Sequence, residues 1–142
     1  MIVILKTLHF LSLWAAGGAG AGGWIIQIVH ARKGVKPSPE VGQAMRSMAL
    51  VALIAVIVLW ITGSALSFAI YGGFPNIVAF HVKLAAAALV LLGLFGSNLE
   101  MLRAMRAKTP PRPQVMSKLA WLVRGSLLIV LVSATLAFSG KM

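Results

Sequence analysis

Three histidines stand in an otherwise strongly apolar chain: His9, His30 and His81. An ionisable side chain inside a membrane is costly, so each is a candidate for function. His9 lies about one helical turn inside the first apolar run, and His81 about one turn inside the third. At about 1.5 Å of rise per residue, the two fall at nearly the same depth. Neutral imidazole is a common axial ligand for haem iron in a helical protein. The spacing therefore predicts a b-type haem with His9 and His81 as its iron ligands. Trp14, five residues after His9, is placed to line the cofactor pocket. Lys83 points roughly opposite to His81. It either snorkels to the headgroups or meets a haem propionate or an anionic substrate group. The competing reading is that the two histidines are interfacial or bonded to water.

The other polar residues carry less. His30 is 21 residues beyond His9, roughly 31 Å along a straight helix, so the two cannot share a metal. It sits beside Arg32 and Lys33, as an interfacial residue or as a contact for a carboxylate. Glu100 and Arg103 are three apart, the spacing of a local helical pair, and Arg124 is a second possible partner for Glu100. Met45, Met48, Met101, Met105 and Met116 raise copper ligation, but they do not line one face. The chain has no cysteine, which excludes disulfides, iron–sulfur ligation and thiol chemistry.

These side chains need helices to hold them. Of 142 residues, 60 % are hydrophobic and 11 % charged, and the mean hydropathy is +0.96. A soluble domain carries about twice that charged fraction, so the main solvent is lipid. A membrane-spanning helix needs about 20 mostly apolar residues, and four segments qualify: 4–30, 44–70, 76–103 and 117–138. The first is too long for a signal-peptide core and is expected to be a retained helix. Its Gly17, Gly18, Gly20, Gly22 and Gly23 either permit close helix packing or, with Ser12 and Ala16, leave room for a flat macrocycle. Pro37 and Pro39 in the first connection read as helix stops, and Pro110, Pro111 and Pro113 make the third an extended loop. Tyr71 to Pro75 form a tight uncharged turn.

Charge sets the orientation. The first and third loops and their flanks hold Arg32, Lys33, Lys36, Arg46, Arg103, Arg106, Lys108, Arg112, Lys118 and Arg124. The opposite side has only Lys6, Lys83 and Lys141. Lys and Arg stay on the cytoplasmic side. The net charge of +11 thus reports topology, not nucleic-acid binding. The expected architecture is one all-α integral membrane domain over residues 1–142. It is a four-transmembrane-helix up-down bundle, with both termini on the periplasmic side of a bacterial inner membrane.

The run Leu5-Lys6-Thr7-Leu8-His9, followed by Trp14 and the glycine-rich stretch, resembles the first helix of HemJ-type protoporphyrinogen oxidases and of the related CopD-like membrane proteins. The His9 to His30 distance is similar to the spacing of two histidines in that helix. Trp60, Gly63 and Ala65 look like the end of the family's second helix. His81-Val82-Lys83-Leu84 resembles the His-x-Lys-Leu opening of its third. The resemblance implies a four-helix haem b protein that takes electrons from protoporphyrinogen IX, with His9 and His81 at the haem. The chain departs from the family at Gly23-Trp24-Ile25-Ile26-Gln27, which replaces a Tyr-x-Pro-Arg segment. Phe95-Gly96-Ser97-Asn98 replaces a second histidine of the third helix. Leu122-Val123-Arg124-Gly125 stands where the fourth helix would open with Asn-Glu-x-Pro.

The expected function is that of a membrane haem b redox protein of porphyrin biosynthesis, passing electrons from a porphyrin substrate to a quinone or another carrier. The alternatives are a non-catalytic accessory subunit of a larger respiratory or photosynthetic complex and, by analogy with CopD-like proteins, copper transport. Expected partners are membrane lipids and further copies of the chain or a larger membrane complex, without nucleic acid.

Overall fold

The computed structural model describes residues 1–139; Lys141, counted above with the outer cations, lies outside them. Four helices account for most of the described chain: α1 (Ile2–Lys33), α2 (Pro39–Tyr71), α3 (Val78–Ala107) and α4 (Pro113–Ser139). There is no strand among the described residues. All four helices are long and apolar enough to cross a membrane. A helix of 32 residues such as α1 is about 48 Å long, against about 30 Å of hydrocarbon. Its ends therefore extend into the headgroup layers.

The helices run further than their apolar cores, and the prolines explain why. Pro39 and Pro113 begin α2 and α4 rather than ending anything. Proline suits the first helical position, where its missing N–H has no partner to lose. Ahead of α2, the Ser38 hydroxyl accepts a long hydrogen bond from Val41 N–H at 3.4 Å. The first connection thus shrinks to residues 34–38 and the third to residues 108–112. Gly34 closes α1 in the left-handed conformation, at φ 63°, which glycine adopts without strain. Lys108 does the same for α3 at φ 52°, where its Cβ is a steric burden.

Packing separates the chain into two compact units, Met1–Leu66 and Ser67–Met142, with the boundary inside α2. In the first unit His9 of α1 meets Thr62 of α2, and Gly22 of α1 faces the methyl end of Met48. Advancing thirteen residues on α1 retreats fourteen on α2, so the two helices are antiparallel. In the second unit Gly93 faces Val123 and Gly96 faces Leu119, an antiparallel pair by the same logic. A Cβ on Gly93 would lie 2.5 Å from Val123 Cγ2 and 3.6 Å from the Leu119 carbonyl oxygen. Only glycine permits that approach, the usual means of close helix packing in lipid.

What is buried confirms the solvent. Ser12, Thr62, Ser67, Glu100, Ser126 and Ser133 are buried, while Phe10, Trp14, Ile61, Leu92, Trp121 and Leu128 are among many large apolar residues that are exposed. A soluble protein of this size does not expose so continuous an apolar surface. Several hydroxyls are satisfied within their own helix: Thr62 donates to Val58 O, Ser97 to Gly93 O and Ser133 to Ile129 O, as hydrocarbon demands. The α2–α3 turn has its own lock. Ser67 Oγ donates to Gly73 O at 2.8 Å, and the Phe74 ring lies between those of Phe68 and Phe80.

Candidate functional site

His9 sits on a heptad-spaced stripe of α1. Leu5, His9, Ser12, Ala16, Ala19, Gly23, Ile26 and His30 are its less exposed positions. The apolar pattern could not mark this stripe, because the exposed faces are apolar too. His9 Nδ1 lies 2.9 Å from Thr62 Oγ1. The Thr62 hydroxyl is itself 2.7 Å from the Val58 carbonyl oxygen. A carbonyl only accepts, so the single hydroxyl proton is committed to Val58 O. Thr62 Oγ1 therefore accepts from His9, and Nδ1 carries the proton. In the neutral ring the lone pair then resides on Nε2.

That tautomer is the one a histidine needs to ligate iron through Nε2. Fixing the other ring nitrogen by a hydrogen bond is how ligand histidines are oriented. Gly63 completes the setting: a Cβ there would stand 3.3 Å from His9 Cε1, so the absent side chain gives the imidazole its place. Neither Thr62 nor Gly63 was expected as a partner of His9. The available signal was that Thr62 is the first hydroxyl after a run of fourteen residues, 48–61, without one.

His30 follows the same rule at the other end of α1. Its Nδ1 donates to Ile26 O at 2.8 Å, which again leaves the lone pair of the neutral ring on Nε2. It lies beside a shallow depression that includes Gln27, Gly34 and Lys36.

The remaining candidates lie on α3 and α1. The packed stripe of α3 runs through Ala86, Val90, Gly93, Glu100 and Ala104, and half-buried Lys83 continues it. His81 occupies the other side, exposed, with its ring at the edge of Phe80. Of its neighbours at helical spacing, Ala85 and Leu92 are exposed, and Leu84 and Ala88 are half-buried. Trp14 is 76 % exposed and stands off the His9 stripe.

Glu100 is the most heavily bonded polar group. Arg103 donates to it through Nε at 3.1 Å and Nη2 at 2.8 Å. Arg112 donates through its backbone N–H at 3.1 Å, Nε at 3.0 Å and Nη2 at 2.8 Å. The Arg103 pairing was expected from spacing; the Arg112 fork was not. Two bidentate forks on one carboxylate fix geometry as well as charge. They tie the end of α3 to the residue that precedes α4. The hydrogen bonds to Glu100 also hold the Arg112 guanidinium further above its already high pKa.

No family model, curated protein or solved structure matches the chain. Fold and composition define it as a multi-pass membrane protein of four long helices.

Proposed function

We propose that the chain is a haem b redox protein of a bacterial inner membrane, resembling the HemJ-type protoporphyrinogen oxidases. In this reading the four helices form one up-down bundle, with the cation-rich first and third loops in the cytoplasm and both termini in the periplasm. The observation that carries it is the chain from His9 Nδ1–H through the Thr62 hydroxyl to the Val58 carbonyl. It sets the tautomer in which Nε2 of His9 carries the lone pair that a ligand needs. His81, exposed on α3, would be the second residue to hold the haem. Lys83 lies near enough in sequence to serve an anionic propionate or substrate carboxylate, and Trp14, exposed and off the His9 stripe, would at most flank the cofactor.

A haem held there supplies a one-electron couple between a reduced substrate, such as a porphyrinogen, and a quinone acceptor. The protein binds and orients it. Thr62 keeps the imidazole in one tautomer and one rotation, and the apolar helices keep the site dry.

The test is the visible spectrum of the purified full chain, as isolated and after addition of haem. A Soret band with the low-spin character of two imidazole ligands is expected, lost in both His9→Ala and His81→Ala. No band after reconstitution, or a band that survives both substitutions, overturns the proposal.

One observation favours the accessory-subunit reading. A Cβ at Gly17, Gly18 or Gly20 would meet nothing within 4 Å, which leaves a side of α1 that another transmembrane helix can approach closely. Co-purification with a large respiratory complex, together with the absence of a Soret band, would select that reading.

A further inference from the structure

The strongest feature outside the histidine sites is a groove in the second unit, between the end of α3 and the start of α4. It is a largely open groove of about 850 Å³. Gly96, Leu99 and Leu102 form its apolar length, and Arg103, Arg106 and Arg112 stand at its end. We propose that this groove holds an anionic phospholipid, with the phosphodiester on the arginines and an acyl chain along the leucines.

Charge and polarity both point to that occupant. The lining holds three guanidiniums and one carboxylate, a local charge of +2. Glu100 does not cancel the attraction for an outside anion. It is 5 % exposed, and both of its oxygens are occupied by the two forks. Its effect is to hold Arg103 and Arg112 in place. Each uses Nε and Nη2 on Glu100, which turns Nη1 away from it. Their side chains remain 46 % and 59 % exposed. Arg106 is exposed, and its side chain has no hydrogen bond or ion pair among the described residues. Arginine suits phosphate because its planar donors match two oxygens at once.

Depth agrees as well. Glu100 lies seven residues before the end of α3, about 10 Å along the axis. The groove therefore passes from hydrocarbon to headgroup level within its own length. A free phosphate would use the arginines and leave the apolar wall unoccupied, whereas a two-part amphiphile uses both. Basic pockets between transmembrane helices bind anionic lipid headgroups in this way. The site is independent of the haem proposal and holds in either orientation of the chain.

Native mass spectrometry of the detergent-solubilised full chain tests it, with titration of dioleoyl-phosphatidylglycerol, dioleoyl-phosphatidylcholine and inorganic phosphate. Phosphatidylglycerol is expected to bind at least about tenfold more tightly than phosphatidylcholine, and millimolar phosphate is expected not to displace it. Arg106→Gln removes an exposed cation without breaking the Glu100 forks. It should weaken phosphatidylglycerol binding about fivefold, the effect of one surface arginine on an anionic lipid. Arg32→Gln, a cation of the first unit, should leave binding unchanged. Equal binding of the two lipids, no effect of Arg106→Gln, or an equal effect of Arg32→Gln overturns the site. Displacement by inorganic phosphate overturns the lipid as its occupant.

Discussion

Replacing Thr62 by valine isolates the hydrogen bond on which the His9 assignment turns. Valine keeps the branched shape of threonine and removes the hydroxyl. The Val58 carbonyl still has its helical backbone partner, so the main loss falls on His9 Nδ1–H. Thr62 is 4 % exposed, so water does not easily replace the lost acceptor. An interhelical hydrogen bond in lipid contributes about 0.6 kcal/mol on average and about 1.7 at most. A stranded donor adds a desolvation cost of about 1 kcal/mol or more. A loss of about 1–2 kcal/mol is expected in the free energy of unfolding in detergent micelles. Haem affinity should fall further, about 10- to 100-fold, as when an outer partner of a ligand histidine is removed. Thr62→Ser should restore most of both. A haem-independent readout is the ¹⁵N spectrum of the imidazole. In the parent protein Nδ1 of His9 should show the protonated, pyrrole-type shift, and in Thr62→Val the two tautomers should mix. A parent spectrum with the proton on Nε2 refutes the assignment of donor and acceptor, and with it the reason for choosing His9 as ligand.

Three other outcomes follow from the helix geometry. Gly93→Ala should destabilise the second unit by about 1–2 kcal/mol. The clash with branched Val123 costs about 1–3 kcal/mol, and the better helix propensity of alanine returns up to about 1. Val123→Ala in the same chain should remove most of that penalty, which a double-mutant cycle by detergent unfolding reads directly. Lys108→Gly should stabilise the chain by about 0.5–1 kcal/mol, seen as a higher thermal midpoint, because glycine adopts φ 52° without the Cβ conflict. Glu100→Gln should loosen the third connection by weakening both arginine forks. Limited proteolysis should then cut sooner between residues 108 and 112, and Glu100→Asp, with its shorter reach, should show the same direction.

The helices were legible because each is a predominantly apolar run longer than the roughly 20 residues that hydrocarbon demands. Their ends were not, because a proline reads as a stop whether it follows one helix or opens the next. Pro39 and Pro113 both open one. The Glu100–Arg103 pair was legible from its spacing of three, a contact that helical geometry enforces. Arg112 is twelve positions from Glu100 across a proline-rich loop, and no periodicity reports where such a loop turns back. Thr62 was hidden for a related reason: its partner His9 is 53 positions away, and their meeting depends on the register of α1 against α2.

Register is the quantity that lipid makes hardest to read. In water, the apolar face of a helix announces which side is packed. Here apolar residues surround every helix, and the packed side is marked instead by small and polar ones. On α1 those are Ser12, Ala16, Ala19 and Gly23, and His9 shares their stripe. On α3 the corresponding marks are Ala86, Gly93 and Glu100, and that stripe extends to Lys83 rather than to His81. The two candidate ligands thus stand in different local circumstances. His9 is already held by a hydrogen bond across a helix pair, whereas His81 has an exposed side chain. A haem bound by both must cover the exposed face of α3 that includes Ala85 and Leu92. Carbethoxylation by diethyl pyrocarbonate should accordingly modify His81 rapidly without haem and slowly with it. A rate at His81 that haem does not change would remove His81 from the ligand set.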